Sequence, residues 1–190
     1  MFGGAFDPPH RAHAALAEAA VRQLGLDALF ILPTGNAWHK ARDLTAAVHR
    51  LAMVRLALGA LPRVVIDDRE LQRKGPTYTI DTLRELQAEQ PGAEWVVLMG
   101  EDQAAGFTGW RAWQEIAQLA CFAVAQRGEG AGIAALRALP GVRVQTLALP
   151  DMPESATEIR ARLTAGQDIT QLVDPAVASY IARNHLYPSA

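Results

Sequence analysis

Cysteine is almost absent from this chain: Cys121 is the single thiol in 190 residues. No intramolecular disulfide is open to it. Set within Leu119-Ala120-Cys121-Phe122-Ala123-Val124, the thiol reads as a small buried hydrophobe rather than a nucleophile. Excess positive charge is also missing. Lys and Arg number 18 against 20 Asp and Glu, a formal net charge of -2. That excludes the broad cationic face a nucleic-acid backbone requires, so any cationic site is local. No apolar stretch approaches the roughly 20 residues of a membrane span, and no basic region with an apolar run follows Met1. The expected setting is the cytoplasm, with neither membrane nor nucleic acid as partner; the sequence leaves a homo-oligomer open. A G-x-G-x-x-G loop is absent too, which weighs against a flavodoxin-type or dinucleotide-binding redox protein.

What is present is ordinary in amount, with half of the residues hydrophobic and a fifth charged. The length suits one domain over residues 1–190. Continuously apolar runs at 28–32, 63–67, 94–99, 121–125 and 142–147 predict strands covered on both faces. Helical spacing lies between them: Leu16, Ala20 and Leu24; then Leu51, Met53, Val54 and Leu58; then Ile80, Leu83 and Leu86. Such alternation implies right-handed crossovers and an α/β, doubly wound, mostly parallel sheet, whose ligands bind beyond the carboxyl ends of the strands. Residues 155–163 and 175–184 read as two closing helices without a further strand. Residues 129–132 read as a surface turn.

The densest chemistry is at the start, in Gly3-Gly4-Ala5-Phe6-Asp7-Pro8-Pro9-His10-Arg11-Ala12-His13. Glycines let backbone approach phosphate oxygens, and a helix opening near Pro9 aims its first N–H groups at the same place. Histidines three apart share a helix face, so both rings reach one anion. Only Met1 and Phe2 precede Gly3, whereas a central strand takes about five residues. The expectation is a first strand cut short before Gly3. A second anion-suited segment is Ser155-Ala156-Thr157-Glu158-Ile159-Arg160, a capping box with an arginine one turn on.

Gly3, Gly4, Phe6, Pro8, His10 and His13 match Gly-Gly-x-Phe-x-Pro-x-His-x-Gly-His, and the opening thereby resembles the nucleotidylyltransferase superfamily. Ala12 stands where that family usually has glycine. Ser155 to Arg160 resembles its Ser-Ser-Thr-x-Ile-Arg segment, with Ala156 in place of a common serine and Glu154 where an apolar residue is usual. Asn36-Ala37-Trp38-His39-Lys40, Gly75-Pro76-Thr77-Tyr78-Thr79 and Trp110-Arg111-Ala112-Trp113 narrow the resemblance to the bacterial nicotinate-nucleotide adenylyltransferases. It runs from Phe2 to about Leu186.

The resemblance implies a Rossmann-like nucleotidyltransferase topology with a helical C-terminal segment. It implies adenylyl transfer from ATP to nicotinate mononucleotide, with Mg²⁺ accompanying ATP and no metal held by the protein. His10, His13, Lys40 and Arg160 would be catalytic. Gly3, Gly4, Phe6, Arg127, Ser155 and Thr157 would join His10, His13 and Arg160 around ATP, while Lys40, Thr79, Asp102 and Trp110 would meet the second substrate. Trp110 would stack on the pyridine ring and Trp113 would pack inward. The nucleophile is a phosphate oxygen already anionic at neutral pH, so catalysis is positioning plus charge stabilisation. Phosphate contact would favour imidazolium at both histidines. Sister transferases acting on nicotinamide mononucleotide or phosphopantetheine, and a non-catalytic nucleotide binder, are the competing readings.

Overall fold

A computed structural model describes residues 1–35, 44–125, 130–150, 152 and 154–188. Its centre is parallel β-structure. β1 (Phe2–Gly4) pairs with β2 (Leu29–Pro33), which pairs with β3 (Val64–Ile66). β4 (Trp95–Gly100), β5 (Ala120–Ala125) and β6 (Val144–Leu147) form a second parallel set. Met1 joins the two sets. Its amine donates to the Val96 carbonyl at 2.6 Å, and its carbonyl accepts from the Leu98 N–H at 2.9 Å. Burial pushes that amine down to about 5, so it sits between strands as an uncharged donor. The spatial order is therefore 3-2-1-4-5-6, with the reversal between β1 and β4, where a doubly wound sheet opens its ligand crevice.

Helices cover both faces. α1 (Arg11–Leu24) and α2 (Ala47–Leu58) bring Leu16, Ala17, Ala20, Val54 and Leu58 against Phe2, Ile31 and Leu98. Gly25, left-handed at φ 62°, ends α1, as a helix stop requires. On the other face α4 (Thr79–Glu89) inserts Ile80, Leu83 and Leu86 beside Phe107, Ile116 and Phe122. α8 (Ala156–Thr164) and α9 (Pro175–Arg183) close the chain over α2, with Met53, Ile159, Val177 and Ile181 shared between them. Asp174 caps α9 by accepting the Ala176 N–H at 2.7 Å, and Pro175 holds the first helical position.

Two expectations are corrected. β3 lies at the edge of its sheet and leaves Val65 42% exposed, so this apolar run is not covered on both faces. Within the surface turn expected at 129–132, of which Glu129 lies outside the described residues, Ala131 and Gly132 instead open α7 (Ala131–Arg137). Gly132 there lies so close to α5 (Glu101–Ala105) that a β-carbon would come 2.3 Å from the Glu101 carbonyl. The Glu101 carboxylate also accepts the Gly132 and Ile133 N–H groups at 2.6 and 3.1 Å. α3 (Arg69–Gln72) and α6 (Trp113–Leu119) are too short to declare a helical period.

α3 carries a buried acid, Glu70, at 5% exposure. The Thr82 hydroxyl donates to it at 2.8 Å and itself accepts from the Arg73 guanidinium at 3.1 Å. Burial raises the Glu70 carboxyl above its ordinary value of 4.5 against those two groups, which lower it. The folded state thus binds the proton more tightly than the unfolded chain, and stability is lost as pH rises through the folded value. Glu70→Gln keeps an acceptor for Thr82 and removes the buried charge. Between about pH 5 and about pH 8 the melting temperature of the unmodified protein should fall relative to that of Glu70→Gln. Parallel melting curves across that range would contradict the assignment.

Candidate functional site

The turn after β1 carries the first motif. A β-carbon on Gly4 would come 3.2 Å from the Phe6 ring, so the ring would have to give by a few tenths of an ångström to admit one. Phe6 is itself left-handed at φ 48°, a conformation that a bulky residue adopts only under restraint. Its ring is 2% exposed and packs edge-on against Phe2 and His13, with centroids 5.4 and 5.0 Å away. Phe6 is therefore corrected from an ATP contact to the floor beneath the histidines.

His10 stands at the N-cap of α1 and His13 one turn inside it, with ring centroids 3.7 Å apart. The His10 N–H donates to His13 Nδ1 at 3.1 Å. In this arrangement His13 Nδ1 accepts, so the ring is oriented by the backbone of its partner histidine and Nε2 is left to donate.

The second motif meets the first directly. Ser155 caps α8 by accepting the Glu158 N–H at 3.1 Å, which is one half of the expected capping box. The other half is diverted, since the Glu158 carboxylate takes Arg162 at 2.6 Å instead. Arg160 lies one turn into α8. It donates to the Asp7 backbone carbonyl at 2.7 Å and to the Thr157 hydroxyl at 3.1 Å. Segments 153 residues apart in sequence are thereby locked together, and Ile159, fully buried beside Arg160, anchors the helix that carries them.

A cleft of about 420 Å³ opens along the reversal between β1 and β4. Gly3, Gly4, Thr79, Asp102 and Trp110 line it, together with Tyr78 and Arg111. Thr79 opens α4 and Asp102 lies in the first turn of α5. Trp110 and Trp113 both touch Phe107 edge-on, at 5.6 and 5.9 Å, yet only Trp110 is among the cleft residues. Ala112, left-handed at φ 53°, breaks the chain between them and sends the two indoles apart. The Arg111 guanidinium rests 4.6 Å over the Tyr78 ring at the same cleft, a cation that the sequence pattern did not single out.

Lys40 and Arg127 lie outside the described residues. Among the described residues no group of three or more His, Cys, Asp or Glu could hold a metal ion, and no helix is long and apolar enough to cross a membrane. Arg50 escaped sequence reasoning. At 2% exposure it donates to the Ala5 carbonyl at 3.0 Å and to the Thr45 carbonyl at 2.9 Å, gripping the glycine turn from α2. Its one signal was a charge among inward-facing positions of a helix.

Known proteins resemble the chain over its whole length. The cytidylyltransferase-like family matches residues 1–162. A curated relative from Albidiferax ferrireducens is 51% identical, covering 100% of this chain and 98% of its own. Another from Bordetella petrii is 44% identical over 98% of this chain and 97% of its own. Both carry the name "Probable nicotinate-nucleotide adenylyltransferase". Two solved structures of the Plasmodium falciparum nicotinic acid mononucleotide adenylyltransferase, complexed with APC and with NaAD, superpose with TM-scores of 0.80 and 0.81. Each covers 100% of this chain and 96% of the other, at 19% and 20% identity, and shows the shared fold. On motif, geometry and likeness together, the chain belongs to the cytidylyltransferase-like family, within its nicotinate-nucleotide adenylyltransferase branch.

Proposed function

We propose that the protein transfers the adenylyl group of ATP to nicotinate mononucleotide, giving nicotinate adenine dinucleotide and pyrophosphate. The 5′-phosphate oxygen of the mononucleotide attacks the α-phosphorus, and the bond to the bridging oxygen of the β-phosphate breaks. The observation that carries this reading is the bond from Arg160 to the Asp7 carbonyl, which sets a guanidinium beside the turn leading into His10 and His13. Two anions must meet here, and fixed donors lower their repulsion without needing to reorganise.

In this reading His10, His13 and the first amides of α1 receive the α- and β-phosphates. Arg160, with Ser155 and Thr157 beside it, steadies the departing pyrophosphate, and Lys40 and Arg127 add charge. The donors present are amides, imidazoles and a guanidinium, which suits a Mg²⁺ ion that arrives on the triphosphate rather than on protein carboxylates. That ion would neutralise phosphate charge. Trp110 offers its indole to the pyridine ring, Thr79 helps to seat it, and Asp102 meets the ribose hydroxyls at the end of β4. A phosphopantetheine arm has no ring for Trp110 to stack on, so the cleft favours a pyridine nucleotide.

Replacing His13 by Ala should lower kcat by about 100-fold or more while the circular dichroism spectrum is kept. A loss below about threefold would remove His13 from the reaction. Trp110→Ala should raise KM for the pyridine nucleotide about tenfold or more and leave KM for ATP nearly unchanged. Equal damage to both would make Trp110 a packing residue.

A further inference from the structure

The end of the chain returns to the start of the site. After α9 the backbone reverses through two left-handed residues, His185 at φ 49° and Tyr187 at φ 57°, with the Leu186 N–H bonded to the Ile181 carbonyl at 3.1 Å. Neither residue adopts that conformation without restraint. The reversal places the Tyr187 hydroxyl 2.5 Å from Asp7 Oδ1, across 180 positions of sequence. Asp7 is 1% exposed, and the Thr45 N–H donates to its Oδ2 at 3.2 Å. A carboxylate so buried is tolerable only when its oxygens are met by donors. The phenol–carboxylate distance is that of a charge-assisted bond, among the stronger hydrogen bonds in proteins.

Asp7 is also the residue whose backbone carbonyl holds Arg160, and it stands three positions before His10. We propose that Tyr187 is a positioning residue for the phosphate site: its hydroxyl fixes the orientation of Asp7 and, through Asp7, the strained turn that sets His10 and receives Arg160. The proposal rests on the reading that this site transfers the adenylyl group. Burial, and then the bond to Asp7, push the Tyr187 phenol well above its ordinary value, so it remains a protonated donor throughout the neutral range. Four elements thereby grip the Ala5-Phe6-Asp7 turn: Thr45 ahead of α2, Arg50 on α2, Arg160 on α8 and Tyr187 beyond α9. Of these, only Tyr187 reaches in from the tail, and its hydroxyl supplies the grip through a single atom.

Tyr187→Phe removes that atom and keeps the ring in the C-terminal apolar cluster that also holds Tyr180 and Leu186. The expected result is a fall in kcat of about tenfold or more, since small displacements of positioned groups are costly. KM for ATP and for the pyridine nucleotide should stay within about twofold. Hydrogen exchange at the Phe6, Asp7 and His10 amides should quicken. In the Asp7→Asn background Tyr187→Phe should cost much less than it does alone, because the coupling to Asp7 is already broken and only the bond of the hydroxyl to Thr45 is left to lose. Tyr180→Phe is the control. It removes a hydroxyl bonded to His49 at 2.9 Å in the same C-terminal cluster and should leave kcat unchanged. Unchanged kcat and exchange in Tyr187→Phe, an equal loss in Tyr180→Phe, or additive losses with Asp7→Asn would each overturn the proposal. Amide exchange needs no turnover, so inactivity of the unmodified protein would count against the proposed reaction while the exchange arm still tested the tyrosine.

Discussion

A turn of three residues, Ala5-Phe6-Asp7, sets where His10, His13 and Arg160 stand relative to one another. Phe6 is held left-handed, and that conformation persists because its ring is buried and its neighbours are tied down on both sides. The Ala5 carbonyl is bonded by Arg50, the Asp7 carbonyl by Arg160, and the Asp7 carboxylate by Thr45 and Tyr187. Strain of this kind costs of order 1–3 kcal/mol and survives only where its surroundings over-determine it. In return the turn delivers the chain from β1 into α1 with both histidines on one helical face and the amides of α1 pointing at the same place.

The electrostatics follow from that geometry. A chain with net charge of -2 has no general attraction for polyphosphate. Its site concentrates a few donors and keeps them fixed: Arg160 by two hydrogen bonds, His13 by the amide of His10. A phosphate oxygen that is already a nucleophile needs no base, so positioned donors are sufficient.

Much of this was legible in the sequence. The strands, the long helices and the doubly wound order followed from continuous apolar runs alternating with helical spacing, and the glycine–histidine and serine–arginine segments singled out in the sequence meet in the fold through Arg160 and Asp7. Thr79, Asp102 and Trp110 line the cleft. What escaped shares one physical cause, namely long-range contacts that no local pattern encodes. Nothing near Tyr187 announces a bond to Asp7, nothing near Arg50 announces the Ala5 carbonyl, and the Arg111–Tyr78 stack joins residues from separate loops. Phe6 was misassigned because a motif gives the spacing of its residues and not which of them face inward. The bond from the His10 amide to His13 Nδ1 is likewise visible only in three dimensions.

Pyrophosphate release is the most direct test of the central claim. Purified protein with ATP and Mg²⁺ would be offered nicotinate mononucleotide, nicotinamide mononucleotide and phosphopantetheine in parallel. The account predicts rapid release with nicotinate mononucleotide, far slower release with the amide, and none above background with phosphopantetheine. Folded protein that binds ATP yet releases no pyrophosphate with any of the three would contradict it.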